Sequence, residues 1–402
     1  MNEKEEFIRK LLEKFRLEEG EDGVTQVLTQ IYRAGTINIK DLSQRTHIPI
    51  SVVSGLVNTI IETGLLSRNR FGVLFTEEGM QWAERVFGFY GFGLPECQAC
   101  YNRPFELTSR FNEYWDLIQE AFEKRPGADT TLDQALLDPE SAVQKISYIY
   151  ERGGIEGKNV LLLGDDDFLG FAIAAFYKLM FPNDPKLVCA KLVITDIDQR
   201  VLNQEKALIN SLSSSFNIEF FQHDFRNPLP SNYLHQFDTV LTDPPYSPSG
   251  AVLFLSRAVS ALKNGEGKNI YYSYAHRSPE RMLEIQKKLT EMGLAIMEII
   301  PNLNYYEGAG ILGNTTQLFS LKKTNSTIPL VKETESFEGP IYTGEFNVKV
   351  RFYECSECKK TIELSDKSEI KTIEALKQHG CPYCKKNEKF YFVNLDDHEI
   401  ID

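Results

Sequence analysis

The stretch Val160-Leu-Leu-Leu-Gly-Asp-Asp-Asp-Phe-Leu-Gly170 decides the fold. A buried apolar strand that runs into a glycine turn and then a helix is how nucleotide-type α/β folds begin, and ligands of such folds bind outside the carboxyl ends of the strands. The acids in this turn are unusual, because turns that hold a phosphate or a carboxylate use glycines and backbone N–H groups. Asp165, Asp166 and Asp167 would repel an anion at close range, so we predict a cationic ligand.

Helices and strands alternate from residue 131 to residue 325, which predicts one doubly wound α/β sheet. We predict helices over residues 141–152, 168–180, 201–212, 250–262 and 279–292. We predict strands over residues 159–164, 187–195, 218–222, 237–242 and 268–274, and a closing hairpin of residues 295–301 and 316–322. Seven strands ending in an antiparallel pair are the arrangement of S-adenosylmethionine-dependent methyltransferases. We therefore assign residues 131–325 to a Rossmann-like catalytic domain with a seven-stranded sheet of that type.

Acidic residues follow the predicted strands, and each has a natural task in a nucleoside site. Asp196, with Asp198 beside it, is positioned to accept hydrogen bonds from ribose hydroxyls, and Asp224 to accept one from the adenine amino group. Acids at strand-to-helix junctions also cap helices, and any one of these could do so. Several acids on one sheet edge favour a ligand site. The predicted cofactor-binding residues are Gly164, Asp165, Asp166, Asp196, Asp198 and Asp224.

The turn Asp243-Pro-Pro-Tyr246 indicates alkylation of a nitrogen. Enzymes of this fold that alkylate a nitrogen use an (Asp/Asn)-Pro-Pro-(Tyr/Phe) turn, because two prolines stiffen the loop and leave an acid and an aromatic face on the amine. A rigid Pro-Pro bend without a catalytic role is the alternative. We predict that Asp243, Pro244 and Tyr246 bind the substrate, and that residues 305–313 form a lid to which Glu307 adds one more acid.

Residues 1–92 have the order of elements of a winged helix-turn-helix domain. We predict helices over residues 24–34, 39–45 and 51–64, followed by a hairpin over residues 65–75. Residues 51–63 of the third helix include no arginine or lysine that could contact guanine or phosphate. The pattern therefore favours a dimerisation or substrate-gating module over a DNA-binding domain.

Six of the seven cysteines fall in three C-x-x-C pairs. Cys97 and Cys100 lie in a connector, residues 93–130, and one pair cannot close a tetrahedral zinc site alone, so metal and unpaired thiols both stay open. The other two pairs belong to a C-terminal module, residues 326–402, and are separated by 22 residues, a spacing close to that of zinc ribbons. His379 is a possible substitute ligand. The predicted ligands of a structural zinc are Cys355, Cys358, Cys381 and Cys384.

Composition predicts a soluble, cytoplasmic protein of several domains. The chain has 402 residues, of which 42% are apolar, and no run approaches the roughly 20 apolar residues that a membrane span requires. The charged start Met1-Asn-Glu-Lys-Glu-Glu6 is unlike the apolar core of a signal peptide. A net charge of −13 argues against a role dominated by nucleic-acid backbones and favours polycations as ligands.

Gly164-Asp-Asp-Asp167 and Asp243-Pro-Pro-Tyr246, behind a winged helix, resemble the motifs of the branched-chain polyamine synthases of thermophilic archaea and bacteria. The resemblance spans about residues 24–325. It implies transfer of the aminopropyl group of decarboxylated S-adenosylmethionine to the central secondary amine of spermidine, with methylthioadenosine as by-product. It also implies that Asp167 is the main catalytic residue, with Asp243 and Tyr246 beside it. We expect a homodimer.

Two other classes of protein fit parts of the pattern. A winged helix, an Asp-Pro-Pro-Tyr turn and a zinc ribbon would also suit a methyltransferase that modifies amino groups of DNA or RNA with S-adenosylmethionine. A transcriptional regulator with a degenerate, ligand-sensing fold is the second. The acidic balance and the first turn with its three acids argue against the methyltransferase, and the intact acids at the strand ends argue against a degenerate site.

Overall fold

A computed structural model describes residues 3–89, 109–180, 189–212, 217–307, 315–346 and 351–393, apart from residues 16, 18, 365–367, 369, 371–372 and 387–388. The chain divides into two compact units, Met1–Gly339 and Pro340–Asp402. The predicted C-terminal module began at residue 326, so residues 326–339 belong to the first unit instead. No helix in the described ranges is long and apolar enough to cross a membrane.

The N-terminal part of the first unit contains five helices and a hairpin. These are α1 (Glu3–Phe15), α2 (Gly20–Ala34), α3 (Ile39–Thr46), α4 (Ile50–Glu62), β1 (Leu66–Asn69), β2 (Gly72–Phe75) and α5 (Glu77–Phe87). Helix α1 was not predicted. Helix α4 begins after Pro49, which occupies the capping position and makes no side-chain hydrogen bond there. Thr76 does cap α5, because its hydroxyl accepts from the Gly79 N–H at 3.0 Å.

The rest of the first unit is a sheet with helices on its faces. Its elements are α6 (Ser109–Glu123), β3 (Leu136–Leu137), α7 (Pro139–Glu151), β4 (Lys158–Leu163), α8 (Leu169–Met180), β5 (Cys189–Asp196), α9 (Gln199–Ser211), β6 (Ile218–Gln222), β7 (Thr239–Thr242), α10 (Pro248–Ala261), β8 (Asn269–Ala275), α11 (Pro279–Glu291), β9 (Leu294–Glu307) and β10 (Thr315–Lys323). The strand order is β3-β9-β10-β8-β7-β4-β5-β6. Strands β8, β7, β4, β5 and β6 are parallel, whereas β10 is antiparallel to both β8 and β9.

Among the described residues the sheet has eight strands, not the seven predicted. The extra strand is β3, which pairs its two residues with Tyr306 and Glu307 at the end of β9. Two residues are too few to show an alternating pattern, so this strand could not be predicted from the sequence. Strand β9 is also longer than predicted. It continues beyond Pro301 through a shift in its pairing with β10, which an edge position tolerates.

Apolar runs explain why the central strands form. Strands β4, β7 and β8 lie in the middle of the sheet, and their side chains are buried on both faces except for the first two of β4. Residues of the N-terminal helices, such as Val27 and Leu28, belong to the same continuous core as Val160 and Leu162 of β4. The sheet and the N-terminal helices therefore share one hydrophobic core.

The second unit is a small three-stranded antiparallel sheet. Its elements are α12 (Thr343–Phe346), β11 (Arg351–Cys355), β12 (Thr361–Leu364), α13 (Ile373–His379) and β13 (Phe390–Val393). Strand β11 lies between β12 and β13. Its core is small and consists of Ile362, Leu364 and Leu376 together with Cys355 and Cys381.

Candidate active site and candidate metal centre

Three parallel strands end level with one another and bring the predicted site residues to one edge of the sheet. The last residue of β4 lies opposite Thr195 in β5 and Thr242, the last residue of β7. Gly164, Asp196 and Asp243 follow at the next position in each strand. The glycine turn, the acid of β5 and the Asp-Pro-Pro turn therefore meet where a doubly wound sheet binds its ligands.

Asp196 is fixed by the turn that follows β4. Its Oδ2 accepts from the Asp165 N–H at 2.8 Å, and its Oδ1 accepts from the Asp198 N–H at 2.7 Å. Burial raises the pKa of Asp196 to about 6, although both N–H groups favour the ionised form. Gly164 has a φ of +79°, a conformation that favours glycine and lets the turn bend toward this carboxylate. Each oxygen keeps a lone pair for a ligand hydroxyl.

Asp165 faces the protein interior. Its two oxygens accept from the N–H groups of Leu169 and Gly170 at 2.8 Å each, at the start of α8. The next N–H group of α8, that of Phe171, donates to the side chain of Glu205 in α9 at 2.7 Å. Burial and the charge of Glu205 raise the pKa of Asp165 well above its usual range, and burial raises the pKa of Glu205 to about 8. The two acids together cap α8, and burial favours the protonated form of each.

Asp198 and Asp224 each form an ion pair with the arginine two residues further along the chain. Asp198 caps α9 by accepting from the Arg200 N–H at 2.9 Å, and it pairs with the Arg200 side chain at 2.6 Å. Asp224 accepts from the Arg226 N–H at 3.0 Å and pairs with the Arg226 side chain at 2.8 Å. Hydrogen bonds from Arg200 lower the pKa of Asp198. Burial raises the pKa of Asp224, but the bonds from Arg226 outweigh burial and lower it.

Asp166 is the half-buried member of the acidic triplet, whereas Asp165 and Asp167 are buried. Burial raises the pKa of Asp166 well above its usual range, and the charges of Asp167, Asp196 and Asp243 raise it further. The acids of the site therefore repel one another. A cation that enters the site relieves this repulsion.

Asp167 has a buried lysine beside it. Lys145 Nζ lies 3.9 Å from Asp167 Oδ2, and the two side chains are 1% and 5% exposed. Burial raises the pKa of Asp167, whereas Lys145, Arg125 and a hydrogen bond from the Leu137 N–H act to lower it. Leu137 belongs to β3, so the unpredicted strand positions this carboxylate. Asp167 Oδ1 is buried and has no hydrogen-bond partner among the described residues.

Asp243 lies among tyrosines. The Tyr306 hydroxyl donates a hydrogen bond to Asp243 Oδ2. Burial and the charge of Asp167 raise the pKa of Asp243 to about 7, although Lys145 and hydrogen bonds with Tyr306 and Tyr246 act in the opposite direction. Its Oδ1 is buried and, within the described part of the chain, accepts no hydrogen bond. Asp167 and Asp243 thus each have a carboxylate oxygen that is open to a hydrogen-bond donor from a ligand.

The Asp-Pro-Pro-Tyr turn is held on both sides. Pro244 is buried, and the Tyr246 carbonyl accepts from Arg277 at 2.7 Å. The Tyr246 ring meets the Tyr274 ring edge-on at 6.2 Å, and the Arg277 guanidinium lies 6.0 Å from its centroid. One face of Tyr246 therefore already carries a cation contact.

The predicted lid lies mostly outside the described residues. Tyr305, Tyr306 and Glu307 are the last residues of β9, and residues 308–314 fall outside the description. The backbone of Glu307 pairs with Leu136, and its side chain is also outside the description.

Sequence reasoning missed three residues of this site: Lys145, Glu205 and Tyr306. Each comes from an element distant in sequence from the acids that it contacts. A signal existed for Lys145, because it follows Ala142 and Val143 and precedes Ile146 on the apolar side of α7. A lysine inside an apolar helical pattern indicates a buried cation with an acidic partner.

The second unit carries the predicted metal ligands as one cluster. The sulfur atoms of Cys355, Cys358, Cys381 and Cys384 all lie within 4.8 Å of one another. The closest approaches join the two pairs, with 3.8 Å between Cys355 and Cys384 and 3.6 Å between Cys358 and Cys381. Four converging thiols with this spacing suit a tetrahedral zinc ion. His379 is not part of the cluster, and Cys97 and Cys100 lie outside the described residues.

The two cysteine pairs lie in two separate turns of the same geometry. The Cys355 N–H donates to the Lys360 carbonyl at 3.1 Å and the Cys355 carbonyl accepts from the Lys359 N–H at 3.0 Å. The Cys381 N–H and carbonyl make the matching bonds with Lys386 and Lys385, at 2.9 Å each. Lys359 and Lys385 both have left-handed backbones, with φ of 56° and 59°. The repeated geometry presents two facing ligand turns, as in zinc-binding knuckles.

Comparison with known proteins finds one family. The model of the branched-chain polyamine synthase A C-terminal domain matches residues 113–376. An uncharacterized protein of Methanocaldococcus jannaschii is 34% identical over 94% of this chain and 92% of its own length. The N(4)-bis(aminopropyl)spermidine synthases of Thermococcus kodakarensis and M. jannaschii are 32% and 30% identical, over 77% and 85% of this chain and 85% and 97% of their own lengths.

A solved structure with the same fold covers most of the chain. It is the branched-chain polyamine synthase from Thermus thermophilus in complex with N4-aminopropylspermidine and 5'-methylthioadenosine. The TM-score is 0.51 at 23% identity, over 84% of this chain and 96% of that structure. The sheet of the first unit is therefore a methyltransferase-like α/β sheet of the kind predicted.

Proposed function

Because the chain belongs to the branched-chain polyamine synthase family, we propose that it transfers the aminopropyl group of decarboxylated S-adenosylmethionine to the central secondary amine of spermidine. The products are a branched polyamine and methylthioadenosine. The observation that carries the proposal is the group of acids at the sheet edge, where Asp167 and Asp243 each keep a buried oxygen open to a donor among the described residues.

The acceptor fits these two oxygens. A protonated secondary amine has two N–H donors, and a polyamine carries further ammonium groups on either side of it. Buried carboxylate oxygens without partners destabilise a protein unless a ligand satisfies them. We propose that the central nitrogen of spermidine donates to Asp167 and Asp243, while the Tyr246 ring contacts its methylene groups. Pro244 keeps the turn rigid, and Glu307 is proposed to bind an outer ammonium group.

The donor fits the acidic turn. A carboxylate within a few ångström of Asp166 would cost about 1 to 4 kcal/mol at the dielectric constants of a protein surface. A donor that has lost its carboxylate avoids this cost, and its free amine is a cation. We propose that Gly164 and Asp166 border the aminopropyl group, that Asp196 binds the ribose hydroxyls and that Asp224 binds adenine. Asp165 and Asp198, which both cap helices, support the site from behind.

A product assay tests the proposed function. We expect purified protein with spermidine and decarboxylated S-adenosylmethionine to release methylthioadenosine and to add an aminopropyl group to spermidine, both visible by mass spectrometry. A reaction without spermidine is the control and should release little methylthioadenosine. Release of S-adenosylhomocysteine from S-adenosylmethionine would support the methyltransferase alternative instead.

We also propose that the cluster of Cys355, Cys358, Cys381 and Cys384 binds one structural zinc ion. The fit of the site rests on four sulfurs within 4.8 Å of one another. We expect about one zinc per chain by elemental analysis, and Cys381→Ser should lose it while keeping much of the transferase activity. His379→Ala is the matched control and should keep the metal. A Cys381→Ser protein that retains its zinc contradicts this assignment.

The N-terminal helices and hairpin are proposed to form a winged-helix domain that acts in dimerisation or substrate gating. Helix α4, which corresponds to the third helix predicted from the sequence, carries no arginine or lysine. We expect a homodimer by light scattering and no measurable binding to duplex DNA at physiological salt. A salt-sensitive DNA complex would reverse the assignment of this domain.

A further inference from the structure

Asp167 and Asp243 each have one buried oxygen without a partner among the described residues, but their other contacts differ. Asp167 has the buried ammonium of Lys145 at 3.9 Å and the N–H of Leu137. Asp243 accepts from the Tyr306 hydroxyl, and no lysine or arginine of the described residues forms an ion pair with it within 4.0 Å. In catalytic sites, different surroundings can give two titratable groups different pKa values, so that one acts as the acid and the other as the base.

We propose that Lys145 gives the two carboxylates different roles: its charge, 3.9 Å from Asp167, favours the ionised form of Asp167, which orients the polyamine, and Asp243 accepts the proton of the attacking amine. Lys145 is a positioning residue in this scheme, because it contacts Asp167 and not the substrate. The proposal rests on the proposed function and assigns roles within it.

The step balances in charge and atoms. The central nitrogen of spermidine enters as a secondary ammonium with two protons, and one of them passes to Asp243 Oδ1, which becomes a carboxylic acid. The freed lone pair then attacks the carbon that links the aminopropyl group to the sulfonium sulfur. As the new N–C bond forms, the C–S bond breaks and its electron pair stays on sulfur. The products are a tertiary ammonium, which retains the second proton, and neutral methylthioadenosine.

Tyr306 fixes the orientation of the base. Its hydroxyl donates to Oδ2 of Asp243, and Oδ1 is left as the buried oxygen without a partner among the described residues. Tyr306 lies in β9 and is 2% exposed. The hydrogen bond therefore selects which oxygen faces the amine.

The surroundings of Asp243 suit a base that works at neutral pH. The charged and titratable groups that act on it come from four elements besides its own turn: Asp166 and Asp167 after β4, Lys145 in α7, Tyr272 in β8 and Tyr306 in β9, with Tyr246 from the turn itself. Burial and Asp167 raise the pKa of Asp243 to about 7. A base is most effective when its pKa lies near the operating pH.

Single-turnover kinetics in the full-length protein separate the two roles. The rate constant at saturating spermidine should rise with pH through about 7 in the wild type, because Asp243 must be ionised to accept a proton. Asp243→Asn should lower this rate constant by about 100-fold or more and remove the pH dependence, while the KM for spermidine changes little.

Lys145→Met should act on binding instead. Without the cation, the pKa of Asp167, which burial already raises, should rise further, and we expect the KM for spermidine to increase by about 10-fold and to fall again as the pH is raised. Because Lys145 also lowers the pKa of Asp243, the pH profile of the rate constant should move to higher pH, while its maximum stays within a few-fold of the wild type. Lys145→Arg keeps the charge and should restore most of the KM, which a merely structural role would not predict. Binding of methylthioadenosine by calorimetry confirms that each variant keeps its donor site.

Three outcomes overturn the inference. An active wild type whose Asp243→Asn variant keeps the pH dependence removes Asp243 as the proton acceptor. A Lys145→Met protein that binds methylthioadenosine and shows an unchanged KM at every pH removes the role of Lys145. A wild type that forms no methylthioadenosine contradicts the proposed function itself and this inference with it.

Discussion

We propose that Asp166 discriminates between sulfonium compounds, since it is the least buried acid of its turn and the charges of neighbouring carboxylates act on it. A carboxylate on the donor would be a further anion in the same space. The repulsion depends on the charge of Asp166 and not on its shape, which makes the contribution separable by a substitution of equal size.

We expect the protein to bind decarboxylated S-adenosylmethionine at least about 10-fold more tightly than S-adenosylmethionine, and Asp166→Asn to reduce this ratio by several-fold. Calorimetry with both compounds measures the ratio. Methylthioadenosine, which has no carboxylate and no sulfonium charge, is the control and should bind the wild type and Asp166→Asn with equal affinity. Equal affinity of the wild type for the two sulfonium compounds would contradict the electrostatic explanation.

Asp167→Asn keeps the size of the side chain and removes its charge. We expect turnover with subsaturating spermidine to fall by about 100-fold, because the amine loses the anion that aligns it with the sulfonium carbon. Methylthioadenosine should bind as in the wild type, because Asp196 keeps both of its backbone hydrogen bonds. Unchanged turnover would show that Asp243 alone positions the amine.

Two buried acids cap helix α8 at its first turn, and we expect them to hold one proton between them near neutral pH. Asp165 and Glu205 are 1% and 0% exposed and accept hydrogen bonds from three successive N–H groups of the helix. In the unfolded chain both acids would be ionised above pH 5 or so, whereas the folded protein retains one proton on the pair. The folded state therefore binds more protons than the unfolded state over this range, and stability falls as the pH rises.

The free energy of unfolding should lose up to about 1.4 kcal/mol per pH unit from this pair between pH 5 and pH 8, the value to which burial raises the pKa of Glu205. Glu205→Gln offers an amide oxygen to Phe171 and an amide N–H to Asp165 without titrating. We expect the unfolding free energy of this variant to vary less with pH. The variant should therefore become more stable relative to the wild type as the pH rises. Urea denaturation at several pH values measures the slopes, and parallel slopes would rule out the shared proton.

At the scale of the whole molecule, a buried ion pair joins the N-terminal helices to the sheet. Arg33 of α2 contacts Glu156, just before β4, at 2.6 Å, and the two side chains are 4% and 3% exposed. The Arg33 guanidinium also donates to the carbonyls of Tyr150 and Glu151 and lies 4.2 Å from the Tyr150 ring centroid. Because Tyr150 and Lys145 belong to the same helix, α7, the N-terminal helices support the element that carries Lys145.

We expect Arg33→Met to destabilise the first unit by about 3 to 5 kcal/mol, because Glu156 is left buried without its partner. Arg33→Met combined with Glu156→Met should recover part of this loss. Arg9→Met is the matched control, since the exposed pair of Arg9 with Glu13 at 2.7 Å should contribute about 1 kcal/mol or less. Thermal unfolding compares Arg33→Met, the double variant and Arg9→Met with the wild type. A double variant no more stable than Arg33→Met would mean that the contacts to the Tyr150 and Glu151 carbonyls dominate.

The sequence by itself determined the features that depend on neighbouring residues. Apolar runs such as Val160–Leu163 mark central strands because both of their faces are buried. The two C-terminal cysteine pairs indicate a metal site because ligand spacing within a turn is local. The acids after β4, β5 and β7 could be placed on one edge because parallel strands end on the same side.

Only the tertiary structure decided what each acid does. Asp165 follows β4 and Asp196 ends the neighbouring strand β5. Asp165 nevertheless caps α8, whereas Asp196 accepts a hydrogen bond from the turn after β4. Tyr306 and Asp243 are separated by 63 positions and meet only because β9 continues past Pro301 to the carboxyl edge of the sheet. Burial, hydrogen-bond partners and the resulting pKa values arise from contacts between residues distant in sequence, and no local pattern encodes such contacts.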